Sequence, residues 1–165
     1  MVEFIKAMKE AKKGYKGELC WRVSEERHAR EWVTDGGSTF AVDKDGNICG
    51  ICRNKKDTIT GKELVKMAIK CGGIKMQAFG RDLFEFYTNL GFEPVTWCLF
   101  RESDAPKGWK KKYGAEPMIF YAYTKKKREY KSMDDFIAQT WPEKNSEEAY
   151  RLRDTYIELS KKYLY

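Results

Sequence analysis

A chain of 165 residues with 15% aromatics has the material for a core of its own, and its five cysteines (Cys20, Cys49, Cys52, Cys71, Cys98) are odd in number and scattered, which argues against a disulfide framework. The 32 basic and 25 acidic residues give a net charge of +7, which favours an anionic partner: a nucleotide, CoA, nucleic acid or an acidic protein surface. No apolar run approaches a membrane span, and Phe4, Ile5 and Met8 are interrupted by Glu3, Lys6 and Lys9, so the expectation is a cytoplasmic chain with reduced thiols, no export signal and no membrane partner.

In chain order, residues 2–13 read as a helix with Phe4, Ile5, Met8 and Ala11 on one face. Leu19 to Val23 reads as a strand. Ser24 is placed to cap a helix that carries Ala29, Trp32 and Val33 and stops before Gly36. Ser38 to Asp43 and Asn47 to Arg53 read as a hairpin around Asp43-Lys44-Asp45-Gly46. After a polar loop, Gly61-Lys62 opens a helix with Leu64, Val65, Ala68 and Cys71 on one face. Ile74 to Phe79 is a predicted strand.

Residues 82–90 then repeat apolar positions at Leu83, Phe86, Tyr87 and Leu90, one face of a helix. Gly91 suits a left-handed helix end, with Phe92 folding back on the last turn. Val95 to Phe100 reads as a strand with Val95, Trp97 and Leu99 on one side. A connection from Arg101 to Glu116, long for a compact domain, leads to a last strand, Met118 to Tyr123. Lys125 to Arg128 is a basic linker. Two helices close the chain: Met133 to Trp141, and one from Asn145, which is placed to form a capping box with Glu148. The second carries Ala149, Leu152, Tyr156, Leu159 and Tyr163 at alternating spacings of three and four, a stripe suited to docking on the domain or pairing with another helix. The face patterns predict a core of Phe40, Val42, Ile48, Ile51, Leu64, Ala68, Met76, Ala78, Leu83, Tyr87, Val95, Trp97, Phe120 and Ala122.

The segment Phe86-Tyr87-Thr88-Asn89-Leu90-Gly91-Phe92 resembles the Tyr-x-x-Leu-Gly-Phe signature of GNAT-type N-acetyltransferases. From about Gly36 to Tyr123 the chain also resembles a small domain of phage and prophage proteins, through Gly37-Ser38-Thr39, Phe40-Ala41-Val42 and Glu93 to Trp97. The order of elements predicts an α/β layered fold, a mixed, largely antiparallel sheet flanked by helices, which the resemblance makes GNAT-like, over residues 1–131; residues 132–165 are expected as a helical tail packed on it. The resemblance implies acetyl-CoA as cofactor, held between the strands Ile74–Phe79 and Asn47–Arg53, and Tyr87 as the acid that protonates the leaving thiolate.

At the place where such enzymes cradle the CoA pyrophosphate, this chain has Asn54-Lys55-Lys56-Asp57-Thr58-Ile59-Thr60-Gly61-Lys62. Backbone N–H groups at a helix start, with lysines nearby, can hold phosphate. Asn54, Lys55, Thr60, Gly61 and Lys62 are therefore the candidate cofactor residues. The same loop also reads as an ordinary basic loop capped by Thr60, and Tyr87 also reads as a core ring. Glu18, Asp43, Glu85 and Glu93 are the candidate bases. His28, the one histidine, sits in a charged stretch.

Cys49-Gly50-Ile51-Cys52 would face opposite sides of a regular strand, so these thiols read as small buried hydrophobes and no metal is expected. The stretch Ser103 to Gly114 interleaves aromatics with lysines, which suits an anionic surface or a loop pinned by Trp109. Two functions remain open. One is an acetyl-CoA-dependent N-acetyltransferase of unknown acceptor in a bacterial host cell. The other is a catalytically inactive phage module that binds a host protein or nucleotide-like ligand, with a possible anti-defence role. A nucleic-acid partner rests on charge alone.

Overall fold

The computed structural model describes residues 2–13, 30–105, 107–126 and 128–164. The expected strand Leu19–Val23, the start of the helix at Ser24, and His28 and Glu18 lie outside them. By backbone contacts the chain divides into two units, Met1–Ile74 and Lys75–Tyr165. Among the described residues both are α/β, and each holds one three-stranded antiparallel sheet.

The first unit runs α1 (Val2–Ala11), β1 (Arg30–Val33), β2 (Thr39–Val42), β3 (Ile48–Cys52) and α2 (Gly61–Lys70), with strand order β1-β2-β3. Residues Arg30–Val33 form a strand, not the end of a helix. The spacing of Ala29, Trp32 and Val33 mimics a helical face, but Trp32 pairs with Phe40 across the ladder and stacks on it, centroids 4.8 Å apart. Cross-strand aromatic pairing of this kind overrides a weak local preference. The hairpin forms as its turn chemistry dictates: the Asp43 carboxylate accepts from the amides of Asp45 and Asn47, and Gly46 has φ +83°.

Side chains alternate across β2. Ala41 packs with Phe4, Met8 and Ala11 of α1. Val42 and its partner Ile48 turn to the other face, where Ile48 lies against the end of α2 and Leu64, Val65 and Ala68 are buried. The first unit is thus a sheet between two helices, each supplying an apolar stripe.

The second unit runs β4 (Lys75–Phe79), α3 (Arg81–Thr88), β5 (Phe92–Cys98), α4 (Trp109–Tyr113), β6 (Met118–Tyr123), α5 (Met133–Gln139) and α6 (Ser146–Leu164). Its strand order is β4-β6-β5, so the last strand enters between the two that flank α3. A strand, a helix and a second strand running the same way need a crossover, and α3 supplies it. One sheet face carries Tyr121 and Tyr123, packed against Phe84, Tyr87 and Phe92; Phe84 in turn meets Phe136 of α5. The other face carries Phe120 and Cys98 against Ala149 of α6.

The apolar face of α3 is rotated from the expected one. Phe84, Tyr87 and Thr88 are buried, while Leu83, Phe86 and Leu90 are half-buried. Phe92 does fold back on Tyr87, edge to face at 5.7 Å. In β5 the alternation slips at Val95, an extra residue between the partners of Tyr121 and Phe120, which leaves Val95 half-buried. Leu99 lies beyond the strand and is exposed. Ile51, also expected in the core, is half-buried.

The α6 stripe is displaced as well. Ala149 is buried, but Leu152 and Leu159 are exposed, and Arg153 takes the buried position. Its guanidinium donates to the Met76 carbonyl, Gln77 Oε1 and Asp154 Oδ1, and lies over the rings of Phe120 and Tyr150. A buried cation with these partners is satisfied where an isolated one would not be.

Candidate functional site

In the first unit, the loop from Asn54 to Thr60 is organised by the Asp57 carboxylate, which is 6% exposed. The hydroxyls of Ser38 and Thr34 and the amide of Ile59 donate to it, and these bonds lower its pKa from 3.8 to about 2. Arg53 clamps the same loop from its nitrogen side, donating to the carbonyls of Ile59 (2.8 Å) and Asp57 (3.1 Å). Asn54 is also used inside the loop: its amide bonds the Ser38 hydroxyl and its side-chain oxygen accepts from Lys56 N.

The start of α2 is a complete capping box. Thr60 Oγ1 accepts from the Glu63 amide, and Glu63 Oε2 accepts from the Thr60 amide at 2.7 Å. Hydrogen bonds from Thr60 hold the Glu63 carboxyl below its usual range. The first turn thus already holds a carboxylate, which offsets the positive end of the helix. Thr60 is engaged in the cap. The amides of Gly61 and Lys62 make no bond to the described residues, and Lys55, Lys56 and Lys62 are exposed beside them.

Tyr87 lies in the second unit and is 6% exposed. Its ring is enclosed by Phe86 (5.0 Å), Phe92 (5.7 Å) and Tyr121 (5.9 Å). Tyr121 is fully buried, and its hydroxyl has no partner among the described residues. Desolvation, and then the charge of Tyr87, push its pKa well above the ordinary value. The Tyr121 phenol therefore remains protonated.

The described candidate bases are all committed to other partners. Asp43 holds the hairpin turn. Glu85 takes a two-bond ion pair from Arg128. Glu93 accepts from the Tyr156 hydroxyl at 2.8 Å and lies 3.7 Å from Lys126.

The stretch between β5 and β6 is partly ordered. Trp109 is 7% exposed, packs on Phe79 and Tyr113, and turns α4 so that Lys110, Lys111 and Lys112 are exposed. With Lys107 they form a cationic patch with no acidic residue from Ala105 to Ala115. The sequence left two readings of this stretch open, an anionic surface or a loop pinned by Trp109, and Trp109 is indeed buried against Phe79. The keystone role of Asp57 was missed, although its place two residues before Ile59 in a loop is a signal for a side-chain-to-backbone turn.

Comparison of the chain with protein-family models, with curated proteins and with solved structures returns no match.

Proposed function

We propose that this chain is a catalytically inactive, GNAT-like module of phage or prophage origin that acts by binding a host protein with an acidic surface. The observation that carries the reading is the enclosure of Tyr87. A general acid must reach the atom it protonates, and this ring is packed among three others. The commitment of Asp43, Glu85 and Glu93 to turn and ion-pair contacts supports the same reading. The lysines of α4 supply the charge complementarity that steers and orients an acidic partner.

A second reading, an acetyl-CoA-dependent N-acetyltransferase, is favoured by one feature. The amides of Gly61 and Lys62 point to no described partner and stand among exposed lysines, as a phosphate ligand would require.

Calorimetric titration with CoA and acetyl-CoA, at low and moderate salt, on wild type and Gly61→Glu, separates the two. The binding-module reading expects no heat at high micromolar ligand. Heat that weakens with salt and vanishes in Gly61→Glu would sink it in favour of the transferase.

A further inference from the structure

Helix α6 docks on its sheet through Ala149 and Arg153, which are buried, and through Tyr156, whose hydroxyl donates to Glu93. The stripe beside these residues faces solvent. Leu152 and Leu159 are 44% and 48% exposed, and Thr155 between them is exposed too. Steps of three and then four residues follow the helical period, so all three share one face. The two leucines lie about 10 Å apart along the axis, two turns of an apolar seam.

A charged row flanks the seam. Arg151 and Glu158 are seven residues apart and hence on the same side of the helix, with side chains 66% and 74% exposed. Each makes a surface pair within α6, Arg151 with Glu148 and Glu158 with Lys161. Exposed pairs of this kind are worth little and exchange readily for others. Arg151, Asp154, Thr155, Glu158 and Leu159 line an open depression along that side, a place for an incoming side chain.

We propose that this face joins two copies of the chain, α6 against α6, antiparallel about a two-fold axis at Thr155. Turning one helix end for end about Thr155 brings Leu152 of each copy onto Leu159 of the other. The same operation sets Arg151 of each copy beside Glu158 of the other, and the symmetry makes every contact twice. A parallel pairing loses this match, because it lays the Arg151–Glu158 flank of one helix beside the opposite flank of the other. The short Thr155 side chain lets the helices approach at the crossing. Each copy carries a net charge of +7, so the long-range field opposes association and the attraction is local. A single helix pair is a small interface, which makes the dimer weak and dependent on concentration.

The test is sedimentation velocity on the full chain, at concentrations from about micromolar to about millimolar. Wild type is expected to pass from monomer to dimer over this range. The double variant Leu152→Gln, Leu159→Gln is expected to weaken self-association by about tenfold or more. Both leucines are exposed in the monomer, so its fold should be unchanged, which circular dichroism checks.

Arg151→Glu alone and Glu158→Arg alone should each weaken self-association, because like charges then meet across the axis. An equal mixture of these two single variants should dimerise as wild type does, since every cross pair in the mixed dimer is again opposite in sign. A wild type that stays monomeric at the highest concentration overturns the proposal. So does a dimer that the leucine or charge substitutions leave intact, or a mixture of the charge variants that fails to associate.

Discussion

Replacing Asp57 by asparagine keeps the shape of the loop keystone and removes its charge. The wild-type carboxylate accepts from two hydroxyls and a backbone amide, and these bonds hold its pKa at about 2 against an ordinary 3.8. That difference corresponds to about 2 kcal/mol of folding free energy at neutral pH. Hydrogen bonds to a charged group contribute about 1.5–3 kcal/mol each, so the figure is of the right size for a site that also pays a desolvation cost.

The sign follows from the depressed pKa. The contribution is fully present above the unfolded value and is lost as pH falls through the folded one. Urea denaturation followed by far-UV circular dichroism should therefore show Asp57→Asn less stable than wild type by about 2 kcal/mol at about pH 7. The gap should narrow as pH is lowered from about 4 toward about 2. Hydrogen exchange at the Ile59 amide should speed up in the variant. An unchanged stability at neutral pH, or a gap that stays the same in acid, would refute the reasoning.

Other substitutions test other parts. Phe84→Ala should cost about 3–5 kcal/mol and Leu83→Ala less than about 2, because Phe84 is fully buried and Leu83 only half-buried; denaturant midpoints measure both. Arg153→Ala should destabilise by about 3–5 kcal/mol, since it removes the guanidinium that donates to the Met76 carbonyl and Gln77 Oε1 and leaves a void, while Asp154 keeps Lys75; Arg153→Met should recover much of the loss, and thermal unfolding of the two variants decides it. Replacing Lys110, Lys111 and Lys112 together by glutamate should shift stability by no more than about 0.5 kcal/mol, because all three are exposed, and should abolish binding to an acidic polypeptide such as polyglutamate in a salt-dependent assay.

Elements whose signals are local were legible in the sequence. The Asp43–Gly46 turn, the Thr60 cap and the Asn145 cap, where Asn145 Oδ1 accepts from the Glu148 amide, depend on residues within four positions of each other. What escaped depends on a partner strand or on a one-residue slip. Arg30–Val33 looks helical until Phe40 is placed beside Trp32. The faces of β3 and β5 were misassigned because single-residue irregularities at Gly50 and Val95 reverse the alternation, and an alternating pattern cannot reveal a bulge. On α6, leucine positions looked like the buried stripe, but Gln77 and the Met76 carbonyl make an arginine the better fit there. At the candidate site, the sequence showed that Thr60 and Tyr87 each had a structural and a chemical reading. The choice turns on tertiary neighbours: the Glu63 carboxylate at the cap, and the rings around Tyr87.

The central claim, a binding module without turnover, is tested most directly by thiol release from acetyl-CoA. The protein is incubated with acetyl-CoA and a panel of amines, and the freed CoA thiol is followed colorimetrically in wild type and Tyr87→Phe. The account predicts no release above the protein-free rate in either. Steady release by wild type that falls in Tyr87→Phe would contradict it and return this tyrosine to the role of catalytic acid.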